Sequence, residues 1–126
     1  MSFEVGVVAR FNAQHHLVGN FGPASVPHAH HYRVEVVAQG AQLQADGTLF
    51  DITLLNESLS AALSELDGHD LNALPELATP NPSAEVVARY ITRRVVPSLA
   101  STPVEALSVR VWESNEAFAA YTTSLK

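Results

Sequence analysis

Five of the six histidines fall in two short stretches, His15 and His16 in the first and His28, His30 and His31 in the second. Zinc takes neutral imidazoles as ligands at about 2 Å, and two residues of one strand with a third from its neighbour can supply three of them. Two-residue spacing puts His28 and His30 on one face of an extended segment. The pattern is compatible with a zinc site, and equally with solvated loop histidines or a nonspecific metal-chelating patch.

Glu113 ends a row of alternating apolar residues that includes Val109 and Val111. The alternation predicts that this row faces the core. A carboxylate in such a place needs hydrogen-bond donors, because burial without them raises its pKa. A planar heterocycle with paired N–H groups would supply donors, and so would backbone amides or an arginine. A binding role and a structural role for Glu113 are therefore both open.

The segment from Leu66 to Asn72 contains Asp67, Gly68 and His69. Neighbouring aspartate and histidine side chains can form a proton-transfer pair in which the carboxylate orients the imidazole. The same composition is typical of an ordinary polar turn, and the sequence alone favours the turn.

Two segments with a two-residue period must position the clustered histidines. In the first, the odd positions from Phe3 to His15 share one face, and in the second the even positions from His28 to Ala38 do so. A loop from about Asn20 to Pro27 separates them. Each predicted strand has a face that is apolar along most of its length and carries histidine at one end.

Two segments with helical spacing follow. Leucines recur every three to four residues after Asp51, which is the predicted N-cap of a first helix. Asn81 as N-cap and Pro82 at the first helical position predict a second helix that ends at Pro97.

The period of two returns from Leu107 to Glu113, and the stretch from Phe118 to Thr123 forms either a last edge strand or a helical turn. The element order β-β-α-α-β-β lacks βαβ alternation. It predicts an α+β fold in which an antiparallel four-stranded sheet carries two helices on one face. We expect residues 1–126 to form a single domain.

Composition excludes several function classes. The 126 residues contain no cysteine, so the chain has no disulfide framework, no Cys-ligated zinc or iron–sulfur cluster and no thiolate nucleophile. A net charge of −6 argues against nucleic acid as the main partner. No apolar run has the length of a membrane span, and Glu4 stands where a signal peptide would be positively charged. We therefore expect a cytoplasmic protein without membrane contact.

Five motifs, in order along nearly the whole chain, resemble those of the 6-pyruvoyl-tetrahydropterin synthase and 6-carboxytetrahydropterin synthase family. They are Phe11-Asn12-Ala13-Gln14-His15, His28-Ala29-His30-His31-Tyr32, Leu66-Asp67 with Leu71-Asn72, Asn81-Pro82-Ser83-Ala84-Glu85, and Val109-Arg110-Val111-Trp112-Glu113. The resemblance implies the tunnelling fold, in which subunits of four strands and two helices assemble into an oligomeric barrel, usually a homo-hexamer of two trimers.

The resemblance also implies the chemistry. It makes His15, His28 and His30 the ligands of Zn²⁺ and Glu113 the carboxylate that anchors a pterin ring, with no assigned role for His16 or His31. The implied enzyme is a carbon–oxygen lyase. Zinc polarises the side chain of 7,8-dihydroneopterin triphosphate, flanking bases move protons, and triphosphate is eliminated.

The chain departs from the family pattern at two points. The family usually places a catalytic cysteine shortly before the position of His28, whereas the nearby hydroxyl here, Ser25, has no activating base. The family's adjacent Asp-His pair is interrupted by Gly68, so Asp67 and His69 become the expected catalytic pair. Two hypotheses follow. One is a zinc-dependent pterin enzyme acting on 7,8-dihydroneopterin triphosphate or a related dihydropterin, and the other is a catalytically weakened or inactive pterin-binding paralogue that keeps the zinc and the pterin anchor.

Overall fold

One antiparallel sheet organises the chain in this computed structural model, which describes all of residues 1–126. Its strands lie in the order β1-β2-β3-β4. They span Phe3–His15 in β1, His28–Gly40 in β2, Ala106–Trp112 in β3 and Phe118–Ser124 in β4. The two-residue period predicted the first two strands correctly. The stretch from Phe118 to Thr123, for which the sequence allowed either a strand or a helical turn, forms the edge strand β4.

Three helices accompany the sheet: α1 spans Ile52–Ser64, α2 spans Pro75–Ala78 and α3 spans Ala84–Val95. The two long helices pack against each other, α1 over β1 and α3 over β3 and β4. This arrangement confirms the α+β prediction. The four-residue α2 is too short to produce a helical period, which is why the sequence did not predict it. No helix has the length and hydropathy needed to cross a membrane.

The predicted start of α1 is correct and that of α3 is wrong. The Asp51 carboxylate accepts a hydrogen bond from the Thr53 amide at 3.0 Å, as an N-cap does. The N-cap of α3 is Ser83 rather than Asn81, because the side chain of Asn81 is already hydrogen-bonded to the backbone of Val18. α3 ends at Val95, where a 3-10 turn over Val96–Leu99 follows.

The core lies between the helices and one face of the sheet, as a single cluster of 25 buried apolar residues. Alternate residues of β1, β2 and β3 enter it, and the rows on the first two strands end with Ala13 on β1 and Tyr32 on β2. The next residues on the same face are His15 and His30. The apolar rows of β1 and β2 therefore give way to histidine at the same end of the sheet.

The sheet has two outer edges within one chain. Part of the β1 edge is covered by the turn after α1, where the Gly68 amide donates to the Asn12 carbonyl at 2.7 Å and the Gln14 amide donates to the His69 carbonyl at 3.1 Å. The rest of β1 and all of β4 have no further strand beside them. The sheet is thus open, and a single chain does not close it into a barrel.

Candidate metal and ligand site

The three histidines of the predicted metal site converge. The antiparallel register pairs His15 directly with His28, and His30 follows two residues later on the same face of β2. One nitrogen from each ring lies within 4.8 Å of one from each other ring. The ring centroids are 4.6 to 5.1 Å apart and the rings meet edge to face. This geometry presents three imidazoles to a common point.

Two of the three rings are oriented by backbone carbonyls. Nδ1 of His15 lies 2.7 Å from the Pro82 carbonyl oxygen, and Nδ1 of His28 lies 2.7 Å from that of Val26. A hydrogen bond of this kind fixes the ring and leaves Nε2 available to a metal ion. Backbone geometry therefore prepares both histidines as ligands.

His30 is held differently. Its Nε2 is buried and has no hydrogen-bond partner. Burial lowers the pKa of His30, partly opposed by the nearby Glu113 carboxylate, so the ring favours the neutral form that a metal ion requires. Three convergent imidazoles, one of them with an unpartnered buried nitrogen, fit a metal ion such as zinc.

Glu113 lies one residue beyond β3 and faces the histidines. Its Oε2 is 3.5 Å from Nε2 of His30. Because Arg33 pairs with Trp112, continuing the register by one residue sets Glu113 opposite Tyr32. A cavity of about 310 Å³ opens beside the carboxylate and is lined by residues that include His15, His28 and Glu113. The predicted ligand anchor therefore shares one cavity with two of the three predicted metal ligands.

A larger cavity, about 530 Å³, lies near the C-terminal end of β4, away from the histidines. Its polar lining includes Arg93 and Lys126 but no histidine or carboxylate side chain. It therefore offers no imidazole or carboxylate side chain to a metal ion, and no carboxylate to the N–H groups of a planar ring. Residue chemistry rather than cavity size therefore assigns the site to the histidine end of the sheet.

Tyr32 is a further polar residue beside the site, and the sequence analysis placed it only in the core row. Its side chain is fully buried, and its hydroxyl has no hydrogen-bond partner. Its ring centroid is 5.3 Å from that of His30 and 4.6 Å from that of Phe11, on which it stacks. Burial, with a contribution from Glu113, raises the pKa of Tyr32, so the phenol is neutral. The sequence signal that could have identified Tyr32 is its position two residues after His30, on the same face of the predicted strand.

Two asparagines hold the segment that follows His15. The side chain of Asn72 accepts from the His16 amide at 2.9 Å and donates to the His16 carbonyl at 3.0 Å. Asn81 does the same with Val18, at 2.7 and 3.2 Å. Each side-chain amide thus satisfies one residue's two backbone groups, as a neighbouring strand would. The sequence analysis did not predict that these two asparagines hold the backbone that follows His15.

Asp67 and His69 lie on the turn that covers the edge of β1, and both are exposed. The Asp67 carboxylate accepts from the Asn12 amide at 2.9 Å. Nδ1 of His69 lies 2.9 Å from the backbone carbonyl of Asp67, not from its carboxylate. The expected orientation of the imidazole by the carboxylate does not occur within this chain. The catalytic role of the two residues stays a prediction.

Ser25 lies in the loop before His28, within a 3-10 turn over Gly22–Ser25. Its hydroxyl donates to the Gly19 carbonyl at 2.7 Å and accepts from the Phe21 amide at 3.0 Å. The hydroxyl proton of Ser25 is thus already donated within the loop, and its oxygen already accepts a hydrogen bond there. Ser25 therefore shapes the loop, in agreement with its poor suitability as a base.

Comparison with known proteins identifies the same family along the chain. A family profile described as 6-pyruvoyl tetrahydropterin synthase matches residues 4–124. A search of curated proteins finds no match.

Solved structures share the fold. The 6-pyruvoyl tetrahydropterin synthase of Caenorhabditis elegans has a TM-score of 0.82 at 21% identity, covering 98% of this chain and 97% of that one. The Plasmodium falciparum protein of that name has a TM-score of 0.82 at 21% identity, covering 98% of each chain. The Plasmodium vivax protein has a TM-score of 0.79 at 19% identity, covering 98% of this chain and 99% of that one.

Proposed function

Because the chain belongs to the 6-pyruvoyl tetrahydropterin synthase family, we propose that it is a zinc-dependent pterin enzyme that takes 7,8-dihydroneopterin triphosphate or a related dihydropterin. One observation carries the proposal: three convergent histidines and the Glu113 carboxylate, 3.5 Å from His30, belong to one site. Such a site offers separate positions to a metal ion and to a planar ring with N–H groups.

His15, His28 and His30 would hold the zinc ion through neutral imidazole nitrogens. Three protein ligands are the number that catalytic zinc sites use, because a fourth position is then free for water or substrate. When bound there, zinc would supply Lewis acidity to the hydroxyl groups of the pterin side chain. The carbonyls of Pro82 and Val26 keep two of the rings in place for this task.

Glu113 would bind the heterocycle. A carboxylate has two acceptor oxygens and pairs well with two N–H donors on the edge of a planar ring. Its side chain is 30% exposed, so one side of the carboxylate faces His30 and the other is accessible from the cavity. The ring would thereby be placed with its substituent near the histidines.

The proton transfers of a carbon–oxygen lyase are assigned in this proposal to Asp67 and His69. Both are exposed and do not pair with each other through their side chains. Turnover therefore depends on one of two conditions. Either this turn rearranges, or a neighbouring subunit places its own histidine and Glu113 site beside Asp67 and His69.

The second candidate function is that of a pterin-binding paralogue with little or no turnover. The observation that favours it concerns the polar groups that could replace the missing cysteine and its partner base. The Ser25 hydroxyl is hydrogen-bonded within its own loop, and the Asp67 carboxylate accepts from the Asn12 amide instead of orienting His69. Under this alternative the zinc ion and Glu113 still bind a pterin.

Incubation of zinc-loaded protein with 7,8-dihydroneopterin triphosphate, followed by mass analysis of products and bound ligand, tests the proposal. We expect a bound pterin and slow release of triphosphate that metal-free protein does not catalyse. A bound but unconverted pterin would favour the paralogue. Absence of both bound and converted pterin would contradict the two candidate functions alike.

A further inference from the structure

An aromatic ring lines the cavity that contains the predicted ligand anchor. Phe21 borders this cavity of about 310 Å³ together with Glu113, His15 and His28. Apart from the two imidazoles, its ring is the only aromatic group in the lining, and the residue is 51% exposed. The volume is at the lower end of the range for small-molecule sites, about 300–1,000 Å³. Phe21 does not belong to the hydrophobic core, so the packing of the core does not account for its position.

Hydrogen bonds within the loop before β2 fix the backbone of Phe21. Its amide donates to Oγ of Ser25 at 3.0 Å, and the same hydroxyl donates to the Gly19 carbonyl at 2.7 Å. The Leu17 amide donates to the Ala24 carbonyl at 2.8 Å and closes the loop around this pair. The hydroxyl of Ser25 therefore ties the backbone of Phe21 to that of Gly19.

The ring of Phe21 also depends on the glycine two residues before it. Gly19 has a φ of +135°, which residues with a side chain rarely adopt. A Cβ at this position would lie 2.8 Å from Cε2 of Phe21, closer than real contacts allow. Gly19 thus lets the ring lie against the backbone of its own loop. The remaining surface of the ring is exposed and lines the cavity.

We propose that Phe21 is a ligand-binding residue that determines specificity, because its ring packs against the flat face of the heterocycle whose N–H groups bind Glu113. The inference rests on the proposed function. A carboxylate recognises paired donors on the edge of a ring, whereas an aromatic side chain recognises a flat apolar face. Glu113 alone would accept any paired N–H donors, and the two residues together select a flat ring that carries such donors. Because the loop already holds Phe21, little conformational freedom is lost on binding.

Titration with biopterin, followed by its fluorescence, tests this contact without any turnover. We expect Phe21→Ala to weaken binding about tenfold, the usual cost of removing an aromatic side chain that stacks on a planar base. Phe21→Tyr keeps the flat ring and should stay within about threefold of the wild type. The control is Val18→Ala, because Val18 is an exposed apolar residue of the same loop that does not line the cavity. Its affinity for biopterin should change less than about twofold.

Zinc affinity, measured by competition with a chromogenic chelator, shows whether each variant keeps the rest of the site. It should stay within about twofold of the wild type in all three variants, because neither Phe21 nor Val18 supplies a metal ligand. A loss of zinc affinity in Phe21→Ala as large as its loss of biopterin affinity would show that Phe21 only supports the loop, and would overturn the proposal.

A second ligand separates stacking from a general apolar contact. Tetrahydrobiopterin has the same N–H edge and the same side chain as biopterin, but one of its two rings is saturated and puckered. The wild type should bind biopterin about threefold more tightly or better, and Phe21→Leu should lose most of that preference, because leucine is apolar but has no flat ring.

Three results would overturn the inference and leave the proposed function in place. They are wild-type affinity for biopterin in Phe21→Ala, an equal loss of affinity in Val18→Ala, and a preference for biopterin that is the same in Phe21→Leu as in the wild type. A wild-type protein that binds no biopterin at all would contradict the proposed function and the role of Phe21 together.

Discussion

Two of the three histidines predicted to bind the metal are oriented by different parts of the chain, and the third lies beside a carboxylate. Pro82 lies just before α3 and orients His15, Val26 belongs to the loop before β2 and orients His28, and Glu113 follows β3 beside His30. The site therefore depends on the loop before β2 and on the segment before α3, in addition to the two paired strands that carry the histidines. A site that needs so much of the fold is more costly to maintain than a patch of exposed histidines.

His28→Ala should abolish stoichiometric zinc binding, because two imidazoles do not make a stable zinc site. Elemental analysis of protein purified without a histidine tag should give about one zinc per chain in the wild type and almost none in the variant. His31→Ala is the matched control, since His31 is exposed and hydrogen-bonded to the side chain of Asn12. Native protein that contains no zinc and takes up none would contradict the metal assignment.

His69→Ala should leave pterin affinity within about twofold and lower any turnover about 10²- to 10⁴-fold, the usual contribution of a positioned base. Fluorescence titration and product analysis on the same preparation separate the two effects. Asp67→Asn provides a second variant that keeps an acceptor for the Asn12 amide while removing the charge. Efficient turnover in His69→Ala would transfer the role of base to another residue, with His16 and His31 the nearest candidates.

Strand parity placed His28 and His30 on one face, and the family resemblance added His15 as the third ligand. The register that pairs His15 with His28 is what brings the three rings together. Sequence reasoning did not assign Tyr32 to the site, because the same parity places a buried phenol in the core row. It also expected Asp67 to orient His69. The direction of side chains in a turn depends on where the turn docks, and here the docking edge is 55 residues away at Asn12.

The first three strands and the two long helices were predictable because each buries one face and so carries a period of two or of 3.6 residues. The edge strand β4 buries no residue fully, and the sequence left it open between a strand and a helical turn. The N-cap of α3 was not predictable, because two neighbouring residues, Asn81 and Ser83, have side chains that can cap a helix. The choice between them is decided by the contact of Asn81 with Val18, 63 residues away. Such pairings leave no periodic signal in the sequence.

Asn81→Ala should expose the Val18 amide and leave α3 intact. Hydrogen exchange measured by NMR should show faster exchange at Val18, whose amide donates to Asn81, and little change at Val86, whose amide donates to Ser83. Ser83→Ala should do the reverse and lower the free energy of unfolding by about 1 kcal/mol, as the loss of an N-cap does. Faster exchange through the first turn of α3 in Asn81→Ala would show that Asn81 caps the helix after all.

The open sheet leads to a prediction about the whole molecule. Unpaired strand edges are usually covered, because their free N–H and C=O groups pair readily with another chain. The turn at residues 67–70 covers only the end of β1 nearest the site, so β4 of one copy is free to pair with the remainder of β1 in the next. Repetition of one such contact closes a ring.

We expect a homo-oligomer, with a hexamer of two trimers as the form that family membership favours. Light scattering during size-exclusion chromatography should give a mass several times that of one chain. A stable species with the mass of a single chain would contradict the prediction, and would leave the proton-transfer turn without a neighbouring subunit to act on.

The central claim is that one site binds a pterin through Glu113 beside a histidine-bound zinc ion. The most direct measurement is the titration of zinc-loaded wild-type protein and its Glu113→Gln variant with biopterin, followed by fluorescence. Saturable binding at one pterin per chain is expected for the wild type, and binding about tenfold weaker or more for the variant, because hydrogen bonds to a charged group contribute about 1.5–3 kcal/mol. Equal affinity in the two proteins, or no binding to the wild type, would contradict the account.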